Sequence, residues 1–296
     1  MQFAPIGHLL YLCAAALGRL PFAWLQAMGR FFGQCAYRLN TRETHVARRN
    51  LRLIAPDSAP GIIEQRLQAL MTSVGQGLWE TLAIWTRPRA KVLALVAEVQ
   101  GEAHLQQALA KGRGVILAVP HYGNWELLIE VMAARGPFSL VYRAPEKAAA
   151  AVFLERARRG ENVTLVPAEA TTMRPLLRAL QQGQVVGITP DQQPKRGGGD
   201  FIAFYGRPAL TMSLIPKLAQ RTGAAVLFAY TERMPGGFRV VFEAETTALH
   251  NPDTLAAMTA MNAHIQAIAE RDFRQYQWTY KRFSIRPDPS EPKPYR

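Results

Sequence analysis

Apolar positions along the chain fall into distinct textures. Residues 3 to 39 are unusually apolar, densest over Leu9-Leu10-Tyr11-Leu12-Cys13-Ala14-Ala15-Ala16-Leu17. Gly18, Arg19 and Pro21 break this run, and a second one, from 22 to 32, contains Arg30. Neither reaches the ~20 residues a helix needs to cross a bilayer. No Lys or Arg precedes the first run to give a signal peptide its basic start. Two structures satisfy the pattern: a helical anchor that lies in or dips into a membrane, or a buried helical hairpin. Residues 41–54 and 60–84 then read as helices, parted by Pro56 and Pro60 and closed by Pro88.

From about residue 98 short β-rich runs alternate with amphipathic stretches. Strands are expected at 115–119, 138–142, 163–166, 185–189, 225–230 and 238–243. Helical stretches lie between most of them, at 124–135, 147–159, 171–182 and 211–222. This alternation predicts an α/β fold with a mostly parallel central sheet flanked by helices. Gly236-Gly237 reads as a hairpin turn, which makes the last two strands antiparallel. A long helix over 252–273 follows. The chain thus divides into an N-terminal hydrophobic helical anchor (1–39), a body (40–287) and a Pro-rich, loosely ordered tail (288–296).

Charge sharpens the picture. The net charge of +13 suits nucleic acid, an anionic bilayer or an acidic protein, as well as a merely soluble basic surface. No RNP-type aromatic block, helix-turn-helix pattern or zinc-finger spacing is present, so no nucleic-acid partner is expected. Arg38, Arg42, Arg48, Arg49 and Arg52 follow the apolar segment at once, and Tyr11, Trp24 and Tyr37 suit a headgroup boundary. Membrane attachment on the cytoplasmic side is therefore expected. Cys13 and Cys35 form no CxxC and have no neighbouring histidine cluster, so neither a metal site nor redox chemistry is predicted.

Candidate chemistry concentrates in Val115-Ile116-Leu117-Ala118-Val119-Pro120-His121-Tyr122-Gly123-Asn124-Trp125-Glu126. An apolar strand ends at Pro120, and a helix is expected to start after Asn124, a favoured N-cap. His121 then lies at the carboxyl end of a strand, where open α/β sheets place their ligands. Glu126 falls in the first helical turn. Across such a junction the two side chains can meet, and a carboxylate on one imidazole nitrogen raises basicity at the other. A histidine that merely caps the strand accounts for the spacing equally well. No GxSxG, HExxH or strand-following GxGxxG occurs, and Gly197-Gly198-Gly199 lacks the wording of a nucleotide loop. His8, His45, His104, His250 and His264 have no ligand-like spacing.

His121-Tyr-Gly-Asn-Trp-Glu126 resembles the His-x4-Asp/Glu signature of glycerolipid-type acyltransferases. The wording is similar to the late acyltransferases of lipid A biosynthesis, with the phosphatidylinositol mannoside acyltransferases as relatives. Further blocks carry the likeness in order: Arg48-Arg49-Asn50-Leu51 with Pro56, Tyr142-Arg143, Pro190-Asp191-Gln192, Phe204-Tyr205-Gly206-Arg207-Pro208-Ala209, and Trp278 with Lys281-Arg282-Phe283 and Arg286-Pro287. The chain departs from the family at Gln193, Ala144-Pro145-Glu146-Lys147 and Tyr205, positions that bear on the acceptor.

The resemblance implies a glycerolipid acyltransferase-like domain over 40–287, at the cytoplasmic face of a bacterial inner membrane. It implies acyl-acyl carrier protein as donor, a lipid A precursor as acceptor, and no cofactor beyond that co-substrate. His121 would deprotonate the acceptor hydroxyl and Glu126 would orient it. Arg143 would bind an acceptor phosphate or steady negative charge in the intermediate. Asp191 would support His121 or the pantetheine arm, unless it is simply a turn residue after Pro190. Gln192 and Arg207 would contribute to substrate binding. Arg156, Arg158 and Arg159 end a predicted helix, where cations are favoured anyway. They read as a solvated face or, for Arg158 in particular, as contacts for an acidic carrier protein. A different lipid acceptor (glycolipid or aminolipid), or a non-catalytic membrane protein on a retained fold, remain the alternatives.

Overall fold

The computed structural model describes residues 4–169 and 172–295. Residue 171, where one helix is expected to begin, and the chain ends at 1–3 and 296 lie outside these. Helices α1 (Ala4–Gly18) and α2 (Phe22–Arg38) are joined by a bend of 113° at the Gly18–Pro21 break. Among the described residues no single helix is long and apolar enough to cross a membrane, whereas this bent pair together has the length and composition. Helices α3 (Arg42–Ile54), α4 (Pro60–Thr86) and α5 (Arg89–Leu93) follow. Thr41 caps α3 by accepting from the Thr44 amide, and Pro60 opens α4 where a missing N–H costs nothing.

The inner face of α2 is fitted to α4 by glycine. A Cβ on Gly29 would stand 2.7 Å from the Gly75 carbonyl oxygen, and one on Gly33 only 2.2 Å from that of Met71. The two backbones therefore touch, as small residues four apart allow. Arg87 at the end of α4 donates to the Gly18 and Leu20 carbonyls (2.7 and 2.6 Å), tying down the corner between α1 and α2. The outer faces are different: Leu9, Trp24 and Phe31 are each at least 60 % exposed. The segment is a pair of helices packed on one side and apolar to solvent on the other.

The body alternates as the pattern predicts. It runs β1 (Val96–Gln100), α6 (Glu102–Ala110), β2 (Val115–Ala118), α7 (Glu126–Ala133), β3 (Phe138–Tyr142), α8 (Ala148–Arg158), β4 (Val163–Pro167), α9 (Met173–Gln181) and β5 (Val185–Ile188). A separate hairpin, β6 (Gly199–Phe204) and β7 (Arg207–Met212), precedes α10 (Leu214–Thr222), β8 (Ala225–Met234), β9 (Gly237–Phe242) and α11 (Thr254–Arg271). The seven-stranded sheet has the order β1-β9-β8-β2-β5-β3-β4, with every pair parallel except β8–β9. Strand β2 is buried along its whole length, as a parallel strand covered on both faces must be. Ile116 and Ala118 face a core with α3, the first half of α4 and α9–α11, while Val115 and Leu117 face one with α6 and α7.

Several features depart from the sequence expectations, among them the short helices α5 and α6 and the β6–β7 hairpin, which no apolar run announces. Strand β1 is an exposed edge, so its apolar content is low. Residues 211–212, expected to begin a helix, instead end β7. The β6–β7 turn places both Tyr205 and Gly206 at positive φ, the two-residue geometry that matches strand twist.

Candidate active site

The register of two neighbouring strands assembles the site. Ala118 of β2 lies opposite Ile188 of β5. His121 and Asp191 follow those partners at the same offset, so they come together at the carboxyl end of the sheet. The Asp191 carboxylate takes the histidine at both ring and backbone. Oδ1 lies 2.8 Å from His121 Nδ1, and Oδ2 accepts the His121 backbone N–H at 2.8 Å. Burial alone would raise the Asp191 carboxyl. The adjacent His121 ring and the hydrogen bonds from that residue outweigh it and hold the carboxyl below its ordinary value. Beside it Tyr276 is pushed well up, first by burial and then by the Asp191 charge.

The other side of the ring is defined by glutamines. Gln192 Nε2 lies 3.1 Å from His121 Nε2 and also donates to Gln277 Oε1 at 3.0 Å. The Gln277 backbone N–H donates to the His121 carbonyl at 3.1 Å. This network assigns the proton to Nδ1, facing Asp191, and leaves Nε2 as the acceptor. Trp125 stands edge-on to the imidazole at 5.1 Å between ring centres. Gly123 must be glycine: at φ +59 its Cβ would fall 1.6 Å from the Thr231 carbonyl oxygen.

Glu126 does not join His121 by a hydrogen bond, which corrects the expectation drawn from their spacing. Its Oε2 accepts from Trp85 Nε1 (2.9 Å) and Arg158 Nε (3.0 Å), while Arg158 Nη2 takes Oε1. The physical reason is topological. Helix α8 ends by pointing Arg158 at the start of α7, and the loop after β5 supplies a different acid to the imidazole. Arg158 is buried rather than solvated, and its guanidinium lies 4.8 Å from the Trp125 ring centre. Asn124 does not cap α7 with its side chain either: it donates to the Gly77 carbonyl and contacts Thr81, fastening the loop to α4.

The remaining expected residues are dispersed. Arg143 is exposed past the end of β3, the strand beside β5, and its charge is felt at Tyr280. Arg207 starts β7 and donates through Nε to the Leu53 carbonyl at 2.6 Å, lining a cleft with Arg49 and Lys293 rather than contacting the imidazole. Sequence reasoning missed Trp85 and Gln277, whose contacts to the site come from distant segments with no spacing signal. Several matching blocks prove to be a clasp: Asn50 holds the Trp278 and Tyr280 carbonyls (2.6 and 2.8 Å), and buried Arg282 reaches Leu210 and Thr211.

The family profile described as bacterial lipid A biosynthesis acyltransferase matches residues 5–284. The chain belongs to this family. It is 28% identical over 272 residues to the lipid A biosynthesis palmitoleoyltransferase of Escherichia coli (strain K12), covering 91% of this chain and 88% of that protein. It is 25% identical over 275 residues to the lipid A biosynthesis lauroyltransferase of the same organism, with the same coverage. A phosphatidylinositol mannoside acyltransferase of Mycobacterium tuberculosis (strain ATCC 25618 / H37Rv) is 28% identical over 231 residues, covering 76% of this chain and 70% of the relative. The protein is an acyltransferase, and its relatives imply a lipid acceptor.

Proposed function

We propose that this acyltransferase moves a fatty acyl chain from acyl-acyl carrier protein to a hydroxyl of a lipid A precursor. It would work at the cytoplasmic face of a bacterial inner membrane. The observation that carries the mechanism is the imidazole of His121, fixed through Nδ1 by Asp191 at 2.8 Å with Nε2 as acceptor. Nε2 takes the hydroxyl proton as the acceptor oxygen attacks the thioester carbonyl carbon. The tetrahedral intermediate then expels the thiolate, which recovers the proton from the imidazolium. Asp191 orients the ring and stabilises its charged form, as a buried carboxylate does for a catalytic histidine. Glu126, paired with Arg158, holds the start of α7 and the Trp125 ring against the imidazole. Arg143 suits an acceptor phosphate, because a guanidinium can hold phosphate oxygens in pairs.

Membrane association draws support from the exposed outer faces of α1 and α2, where Leu9, Leu12, Trp24 and Phe31 form apolar surface of the kind that enters an interface. Helix α1 also packs on α8, with the Gly7 position against Ala149 and Val152, and α8 carries the Arg158 that grips Glu126. A lipid acceptor would thus approach beside the site.

The test is direct. Purified protein in detergent or vesicles is incubated with acyl-acyl carrier protein and a lipid A precursor, and the lipid is weighed by mass spectrometry. A gain of one acyl chain is expected, with His121→Ala slower by on the order of 10²-fold or more. A gain seen with a glycolipid or aminolipid alone would move the acceptor. No gain on any lipid would sink the reading.

A further inference from the structure

The face that α3 shares with the C-terminal segment is cationic in a way the chemistry at His121 does not require. Arg42, Arg49 and Arg52 recur at spacings of seven and three, so they lie along one side of α3, Arg52 also standing 3.8 Å from Glu64 of α4. The opposite side is buried through Thr44, Ala47 and Leu51. Arg207 is bonded to the end of the same helix. Across from the helix run Lys281 and Lys293. A cleft of about 270 Å³ has Arg42 and Lys281 on its walls, and one of about 760 Å³ has Arg49, Arg207 and Lys293. Each cleft holds a single acid, Glu43 in the first and Glu291 in the second.

The composition of this face separates two classes of anionic partner. A bilayer surface is met by cations together with apolar side chains that enter it. Among the described residues, none of the exposed large apolar side chains lies on α3 or on residues 279–295, whereas α1 and α2 carry most of them. A row of cations at helical spacing, extending over about 15 Å of α3, instead matches an acidic helix laid alongside it.

We propose that this face docks the acidic, helical carrier protein that presents the acyl thioester. The inference deepens the functional reading above and rests on it for the donor. Its geometry suits delivery. Asn50 of α3 grips the carbonyls of Trp278 and Tyr280, and Gln277, next in the same segment, touches His121. From Gln277 to Lys281 the chain can span at most about 14 Å, so a flexible thioester arm from a carrier docked here has a short path to the imidazole. Individual exposed ion pairs are weak. Several of one sign steer encounter and set its salt dependence.

The experiment uses the full chain and charge reversal. Arg42→Glu/Lys293→Glu, at two exposed positions, is compared with the same pair plus Lys281→Glu. Three quantities are measured: KM for acyl-acyl carrier protein, turnover with an acyl-pantetheine thioester that lacks the carrier, and binding of holo-acyl carrier protein bearing no acyl chain. The expected result is a rise in the carrier-substrate KM of about tenfold or more, weaker carrier binding, and carrier-free turnover within about twofold of wild type. An unchanged KM overturns the docking surface while leaving the acyl transfer intact. Release of the variants from phosphatidylglycerol vesicles with an unchanged carrier KM would assign the face to the bilayer instead, and also overturns it. Wild-type protein that uses the pantetheine thioester yet fails to bind the carrier removes the donor and the surface together. Failure with every thioester strikes the functional reading itself.

Discussion

Two buried carboxylates flank the same loop, and their partners set them apart. Asp191 holds an imidazole, whose ordinary pKa lies near neutrality, and Glu126 holds a guanidinium that stays charged at any working pH. Both acids are nearly inaccessible and both are gripped at two oxygens. Only the first pair contains a side chain that can take up and release a proton during the reaction, the imidazole, with Asp191 staying ionised beside it. The second is a fixed ion pair that locates helix α7. Spacing along the chain selects an acid near the histidine; the order of strands decides which acid it meets.

The largest expected effect tests that division. Asp191→Asn should lower kcat on the order of 10²- to 10⁴-fold, because an amide cannot keep both the ring N–H and the backbone N–H as donors to it. The fold should persist, read by circular dichroism, while the acidic limb of the pH–rate profile moves. Glu126→Gln should leave that limb in place. Should Glu126→Gln shift the limb and Asp191→Asn leave it alone, the roles are reversed.

Stability comes next. Arg158→Ala strands the Glu126 carboxylate in the interior and should cost about 3–5 kcal/mol, whereas Glu126→Gln/Arg158→Gln should recover much of it. Urea denaturation of the single and double variants reads the difference. Trp85→Phe removes one bond to the same carboxylate and should cost about 1.5–3 kcal/mol. A Trp85→Phe loss as large as that of Arg158→Ala would mean the ion pair is not the principal support of Glu126.

The pH dependence separates the pairs again. Asp191 has its folded value below its unfolded one, so its contribution to stability is present above the ordinary carboxylate range and is lost as pH falls through the lowered value. Stability against urea should therefore hold down to about pH 4 and fall below it. Asp191→Asn should flatten that fall. A loss beginning near neutrality would contradict the direction of the shift.

Much of this architecture was legible in the sequence because buried parallel strands write continuous apolar runs, as at β2, β5 and β8. Strand β1 was not, since an exposed edge reading Val-Ala-Glu-Val-Gln carries no such run. The β6–β7 hairpin was not either: it lies outside the main sheet and opens on Gly199-Asp200. His121 and Asp191 were each visible as polar residues just past a strand. Their meeting was not, because β2 and β5 are neighbours in space with two strands between them in the chain. The Trp85 bond to Glu126 crosses 41 residues and follows from where α4 runs, which no local pattern encodes.

The smallest expected effect concerns the far side of the ring. Gln192 donates its amide to Nε2, the atom that would receive the acceptor proton, and is itself steadied by Gln277. An acceptor hydroxyl must take over that place, so the Gln192 bond is exchanged during the reaction rather than added to it. A neutral hydrogen bond contributes about 0.5–1.5 kcal/mol net, and its replacement by the hydroxyl returns most of that. Gln192→Ala should therefore change kcat/KM by less than about tenfold. Gln192→Glu should do more, because a carboxylate at Nε2 favours the charged ring and carries the acidic limb of the rate profile to higher pH. If Gln192→Ala cost as much as Asp191→Asn, both nitrogens of the imidazole would depend equally on their protein partners. Nε2 would then no longer be the side open to substrate.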